Sequence, residues 1–233
     1  EEFNINISDV KNQISNLTES NPMLGHRGCR LGITSPEITK MQSTAILESA
    51  YKLKNENIEC IPEIMIPLVG SIEEFINQKN IIDKVSTDLN KKYNTIINYS
   101  VGAMIELPRA CIIADQIAQH ADFISFGTND LTQTSFGFSR DDISTFLPQY
   151  IEKSILEHDP FVTLDIKGVG ELIKIAINRA RSVNQHIKIG ICGEHGGDPQ
   201  SIAFFNKMDF DYISCSPFRL PIAYLAAAKT NNI

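Results

Sequence analysis

The sequence predicts a parallel α/β fold, most simply a (β/α)8 TIM-type barrel that lacks its first two β-strands. Three observations carry that expectation. Short, nearly continuous apolar runs alternate with longer helical stretches, which is how a parallel sheet covered on both faces reads. No two runs are joined by a hairpin turn. Polar residues stand where several runs end, as they do at the C-terminal face of a barrel. An open doubly wound sheet is the alternative.

In chain order, residues 8–19 carry Val10, Ile14 and Leu17 on one side of an amphipathic helix that Asn21-Pro22 ends. Residues 23–33 read as a short strand bearing Arg27 and Arg30. Ser35-Pro36 opens a helix to about Asn55, with serine at the cap and proline at the first helical position. Residues 61–69 form the next strand, and Ser71-Ile-Glu-Glu caps another helix. Residues 77–98, rich in Asn and Lys, read as a solvated helix and turn. Strands over 101–108 and 123–130 end on Glu106 and Asp130, with a helix over 109–120 between them. Residues 131–170 make a long connection, a length that usually marks function. A helix over 169–183 leads to the stretch Lys188-Ile-Gly-Ile-Cys-Gly-Glu-His-Gly-Gly-Asp-Pro199, a strand breaking into a glycine-rich turn. A helix over 201–208, a strand over 211–216 and a helix over 221–230 complete six strands, each followed by a helix.

The 233 residues can form one large domain, since barrels of this length stand undivided. A net charge of −7 argues against nucleic acid or an acidic membrane as partner. No apolar stretch is long enough to span a bilayer. Five cysteines without paired spacing read as free thiols in a reducing, cytoplasmic setting. Cys29, Cys60, Cys111 and Cys215 lie in apolar contexts and read as packing residues. The first residues resemble neither a signal nor a transit peptide, and read as a start partway through something longer.

Two carboxylates at matching strand ends, Glu106 and Asp130, make a hard-oxygen site that suits Mg²⁺, with substrate oxygens completing it. For either alone, capping of a turn would be the better reading. Gly127-Thr-Asn-Asp130 offers backbone N–H groups and an amide as an anion cradle. Arg27 could clamp a phosphate or carboxylate, though a lone arginine is more often a surface ion pair. Cys192 faces such a site as nucleophile or proton donor. The missing histidine-and-acid signature of acyl transfer tilts this toward the donor. His195 reads as structural.

These motifs resemble a family. Residues 21–31, Pro62-Glu-Ile-Met-Ile-Pro-Leu-Val-Gly70, Met104-Ile-Glu-Leu-Pro-Arg-Ala110, Phe126-Gly-Thr-Asn-Asp-Leu-Thr-Gln133 and Cys192-Gly-Glu-His-Gly-Gly-Asp-Pro199 are similar to the C-terminal domain of the pyruvate phosphate dikinases. So are Phe136-Gly-Phe-Ser-Arg-Asp-Asp142 and Ser214-Cys-Ser-Pro-Phe-Arg219. Enzyme I of the bacterial sugar phosphotransferase system and phosphoenolpyruvate synthase share the Gly-Thr-Asn-Asp element but differ around the cysteine. The resemblance implies a barrel binding phosphoenolpyruvate or pyruvate with Mg²⁺, and exchanging a phosphoryl group with a phosphohistidine on a swivelling domain. It implies that Glu106 and Asp130 hold the metal. Gly127, Thr128, Asn129 and Asp130 would contact substrate together with Glu106, and Arg27 its phosphoryl group. Cys192 would protonate the enolate carbon. A homodimer is expected, cytoplasmic or, in some eukaryotic relatives, organellar. The sequence departs from the family in lacking the nucleotide-binding and phosphohistidine domains and two barrel strands with their arginines. Tyr224 stands where the family usually has a basic residue. A different Mg²⁺-dependent enzyme of pyruvate enolates on the same barrel, or a catalytically incomplete fragment, are the competing readings.

Overall fold

The computed structural model describes residues 6–18 and 22–230. The chain opens with helices α1 (Ile7–Leu17), α2 (Cys29–Thr34) and α3 (Pro36–Asn55), followed by strand β1 (Glu63–Ile66) and helix α4 (Ile72–Tyr93). Next come β2 (Ser100–Ile105), α5 (Pro108–Ile112), α6 (Ala114–Ala118) and β3 (Phe123–Gly127). Then follow α7 (Thr128–Phe136), α8 (Leu147–Glu152), α9 (Val169–Val183), β4 (Lys188–Cys192), α10 (Pro199–Lys207), β5 (Tyr212–Ile213) and α11 (Leu220–Thr230).

The five strands form one parallel sheet in the order β1-β2-β3-β4-β5. The order never reverses, so the sheet has no topological switch point of the doubly wound kind. Right-handed crossovers that all step the same way put their helices on a single face. The register identifies that face. Ile66, Ala103, Ile124 and Ile189 are successive partners, as are Ile105, Phe126, Ile191 and Ile213. They share one apolar cluster with Ala110, Ala114 and Ile117 of α5 and α6 and with Ile173, Ala176 and Ile177 of α9. The opposite face is mixed in character. Met104 pairs with Ser125, Ser125 with Gly190, Gly190 with Tyr212, and Gly127 with Cys192. At its lower end Lys188 reaches Glu63 at 2.8 Å.

Several expectations are corrected. Residues 23–33 are not a strand: a 3₁₀ turn over Pro22–Leu24 and helix α2 replace it, so among the described residues the sheet has five strands rather than six. The run Leu31-Gly-Ile33 is short, and Gly32 packs a helix closely onto α4, where an added Cβ would meet Gln78. Asp130 does not end a strand. β3 stops at Gly127, and Asp130 lies in the first turn of α7, so the last three residues of that expected strand are helix. Helix α4 extends through the stretch read as solvated, and buries Phe75, Gln78, Ile82, Val85 and Leu89 on one side. Its Ser71–Glu74 capping box forms as expected. The helix expected over 109–120 is broken at Ile113. Cys29 and Cys111 are buried, Cys215 is half-buried, and Cys60 is exposed rather than packed. The expected end of α1 at Asn21 lies outside the described residues.

Candidate active site

The upper end of the mixed face gathers most of the expected residues. Alternation along β2 carries Glu106, one residue past the strand, onto the same face as Met104. Gly127 opposite it lacks a side chain, and an added Cβ would fall 2.5 Å from Glu106 Oε2. The glycine therefore lets the carboxylate lie against β3. Glu106 is 3% exposed and its Oε1 accepts a 2.6 Å hydrogen bond from the Leu68 amide. Burial pushes its pKa up to about 7, and the neighbouring Asp130 charge adds to the rise, while the Leu68 amide and Arg27 oppose it.

Asp130 reaches this carboxylate from the first turn of α7. Its Oδ2 accepts from Arg27 Nη2 at 2.9 Å and its Oδ1 from Gln133 Nε2 at 3.2 Å. Arg27 arrives on a loop tied to the end of β1, where Cys29 donates its amide to Pro67 O and its thiol to Leu68 O. Gly28 makes the turn at φ +57°, with Leu68 within 2.9 Å of where a Cβ would lie. Leu68 itself has φ +56°, an uncommon backbone for a large side chain that aims its amide at Glu106.

Cys192 ends β4 beside Gly127. Its Sγ lies 3.6 Å from Phe126 O, and burial raises its pKa, with the charges of Glu106 and Asp130 adding to the effect. The Ser125 hydroxyl acts the other way. Tyr212 shares that face, its ring occupying the space that a side chain at Gly190 would fill. A cleft of about 240 Å³ opens here between Cys192, Gly193, Glu194, Gly197, Ser214, Cys215, Ser216 and Arg219.

Thr128 and Asn129 tie α7 to the turn after the thiol. Thr128 is fully buried, and its hydroxyl lies 3.2 Å from Cys192 O and 2.7 Å from His195 Nδ1. Asn129 Oδ1 accepts from the Glu194 amide at 3.3 Å. Of the expected residues, then, Arg27, Glu106, Gly127, Asp130 and Cys192 converge, while Thr128 and Asn129 join the two loops that carry the others. The residues missed from sequence are Leu68, Ser125, Gln133 and Tyr212. Ser125 had a signal, as the one hydroxyl inside an apolar run. Gln133 had another, three residues after Asp130 on one helix face. Leu68 acts through its backbone and leaves no trace in side-chain pattern.

The charge of Asp130 adds to the raised proton affinity of Glu106, an all-oxygen pairing that a divalent cation would relieve, and Mg²⁺ is commonly held by one or two carboxylates plus substrate. Among the described residues there is no cluster of three or more acidic, histidine or cysteine ligands. The fit is thus to a metal that takes most of its ligands from substrate and water.

The family model of the PEP-utilising enzyme, PEP-binding domain, matches residues 6–232. The chain belongs to this family. It is 56% identical over 225 residues to pyruvate, phosphate dikinase 1, chloroplastic, of Oryza sativa subsp. japonica, covering 95% of this chain and 23% of that protein. It is 53% identical to the Arabidopsis thaliana protein of the same name, covering 98% of this chain and 24% of that one. Pyruvate, phosphate dikinase 2 of Zea mays is also 53% identical, with 98% and 26% covered. The chain spans about a quarter of the length of these curated relatives. A citrate lyase structure from Burkholderia xenovorans aligns at a TM-score of 0.47 and 13% identity over 71% of this chain and 48% of that one, too distant a likeness to carry a conclusion. Membership places the PEP-binding domain along the whole described fold.

Proposed function

We propose that this chain binds phosphoenolpyruvate and pyruvate for a pyruvate, phosphate dikinase. In the complete enzyme the phosphoryl group would pass between this site and a phosphohistidine on a separate domain. The observation that carries the reading is the convergence of Arg27, the Glu106–Asp130 pair and the Cys192 thiol around the start of α7. Glu106 and Asp130 would hold Mg²⁺, which when bound supplies positive charge to the enolate and phosphoryl oxygens. The first amides of α7 and Asn129 would receive the substrate's anionic end. Arg27, paired with Asp130 in this structure, lies at the rim where a phosphoryl group would enter.

The thiol's raised pKa supports the proton-donor role over the nucleophile. A thiol held protonated at neutral pH has a proton to give. It would pass that proton to the methylene carbon of the enolate, making the pyruvate methyl group and leaving a thiolate. Ser125 beside it favours that thiolate.

The monotonic strand order supports reading the sheet as part of a (β/α)8 barrel, with the mixed face toward its interior. A homodimer and a cytoplasmic or organellar setting belong to the same proposal; among the described residues no helix is long and apolar enough to cross a membrane. The test uses a full-length chimera in which this chain replaces the matching segment of the rice dikinase. Asp130→Asn and Glu106→Gln should each weaken Mg²⁺-dependent pyruvate binding by roughly a hundredfold. Binding at the unmutated strength in either variant, followed by titration calorimetry, would remove the metal assignment.

A further inference from the structure

His195 is fully buried two residues from the end of the thiol turn, yet it contacts neither Cys192 Sγ nor the carboxylates within hydrogen-bonding reach. Its Nε2 lies 2.8 Å from the carbonyl of Pro160, in the long connection between α8 and α9. A carbonyl only accepts, so Nε2 carries a hydrogen. Burial lowers the imidazole's pKa, so the neutral ring leaves Nδ1 as an acceptor. The Thr128 hydroxyl, 2.7 Å away, is the donor it meets. That hydroxyl has one hydrogen and a second acceptor, Cys192 O, at 3.2 Å, a three-centre arrangement. Gly193 packs on the same oxygen: its φ of +117° is glycine backbone, and a Cβ there would lie 2.7 Å from Thr128 Oγ1.

We propose that His195 is a positioning residue, which fixes the Thr128 hydroxyl and through it the Cys192–Gly193 backbone that sets where the thiol points. The inference rests on the functional reading above and adds a residue to it. The line Pro160 carbonyl, His195 ring, Thr128 hydroxyl, Cys192 carbonyl joins three separate segments at the level of the reacting thiol. The His195 ring is bonded to Thr128 and Pro160 and stands outside the groups assigned to substrate, so loss of the ring should slow proton transfer and leave affinity alone.

The test is the exchange of pyruvate methyl protons with solvent in the chimera, beside pyruvate affinity. In His195→Gln the amide can still donate to Pro160 O but leaves the Nδ1 position empty. Exchange should fall about tenfold, the worth of one hydrogen bond at the reacting centre, with affinity within about threefold. In His195→Asn the amide takes the Nδ1 position, and exchange should recover to within about threefold of the unmutated rate. Should the Gln variant fail to fold, Thr128→Val reads the same link through exchange alone, and at saturating pyruvate it should show the same loss of exchange. Unmutated exchange in His195→Gln, or in Thr128→Val, would overturn the proposal. So would an Asn variant as slow as the Gln variant, which would make the ring a packing element. An unmutated chimera that binds pyruvate but exchanges no protons would overturn the functional reading, and this inference with it.

Discussion

Glu106 sets the electrostatics of the site. Its carboxyl has a pKa of about 7 in the fold against an ordinary value of 4.5, chiefly because it is buried. Between those two values the metal-free fold holds a proton that the unfolded chain has released. Stability from this group is therefore full below about pH 4.5 and is lost as pH rises through about 7. Glu106→Gln keeps an acceptor for the Leu68 amide and carries no charge. Dilute denaturant unfolding of the metal-free chain should show a midpoint that falls between pH 5 and 8, and the fall should shrink in the Gln variant. Added Mg²⁺ at pH 8 should raise the unmutated midpoint and leave that of the variant where it was. A midpoint independent of pH in the unmutated chain would mean the carboxyl is not desolvated as described.

Among the elements, the loop from Gly25 to Gly28 does most to build the site from segments distant in sequence. It brings Arg27 to Asp130, and its turn is possible because Gly28 has no side chain to strike Leu68. Gly28→Ala should destabilise the fold by about 1–3 kcal/mol. It should also weaken phosphoenolpyruvate binding more than pyruvate binding, because only the former needs the arginine's phosphoryl contact; equal losses would detach Arg27 from that role. The same loop shows where sequence stops being informative. β2, β3 and β4 were legible because their nearly continuous apolar runs are buried or half-buried on both faces. Cys192, Glu106 and Asp130 were legible because thiols and carboxylates stand out against such runs. The segment 23–33 misleads, since a short apolar run fits strand and helix alike and its fate is decided by packing on α4. Asp130 was found for the wrong local reason. The turn from β3 into α7 has no intervening loop, so Thr128-Asn-Asp130 looks like the continuation of a strand. Leu68 and His195 were beyond reach, because their roles depend on a backbone amide and on the distant Pro160 carbonyl.

On the scale of the molecule, the sheet has two open edges among the described residues, β1 and the two-residue β5. Unpaired edges are templates for wrong pairing. Beside the β1 edge a cleft of about 380 Å³ is lined by Ile38, Ile46, Ile64, Met65 and Ile82. At the other end Phe218 is 95% exposed and Tyr224 75% exposed, with Ile222 and Leu225 also open to water. The chain on its own should therefore associate progressively as concentration rises, and the chimera should go no further than the proposed dimer. Light scattering decides this, and a chain that stays monomeric through a cooperative thermal transition would show that the edges are covered. The reading of function survives either outcome, because it rests on the convergence of Arg27, the Glu106–Asp130 pair and the Cys192 thiol. Its most direct test is Cys192→Ala in the full-length chimera, assayed for exchange of pyruvate methyl protons with solvent. The account predicts that this variant folds, binds pyruvate with Mg²⁺ as the unmutated protein does, and exchanges no protons above background. Exchange at the unmutated rate would contradict it.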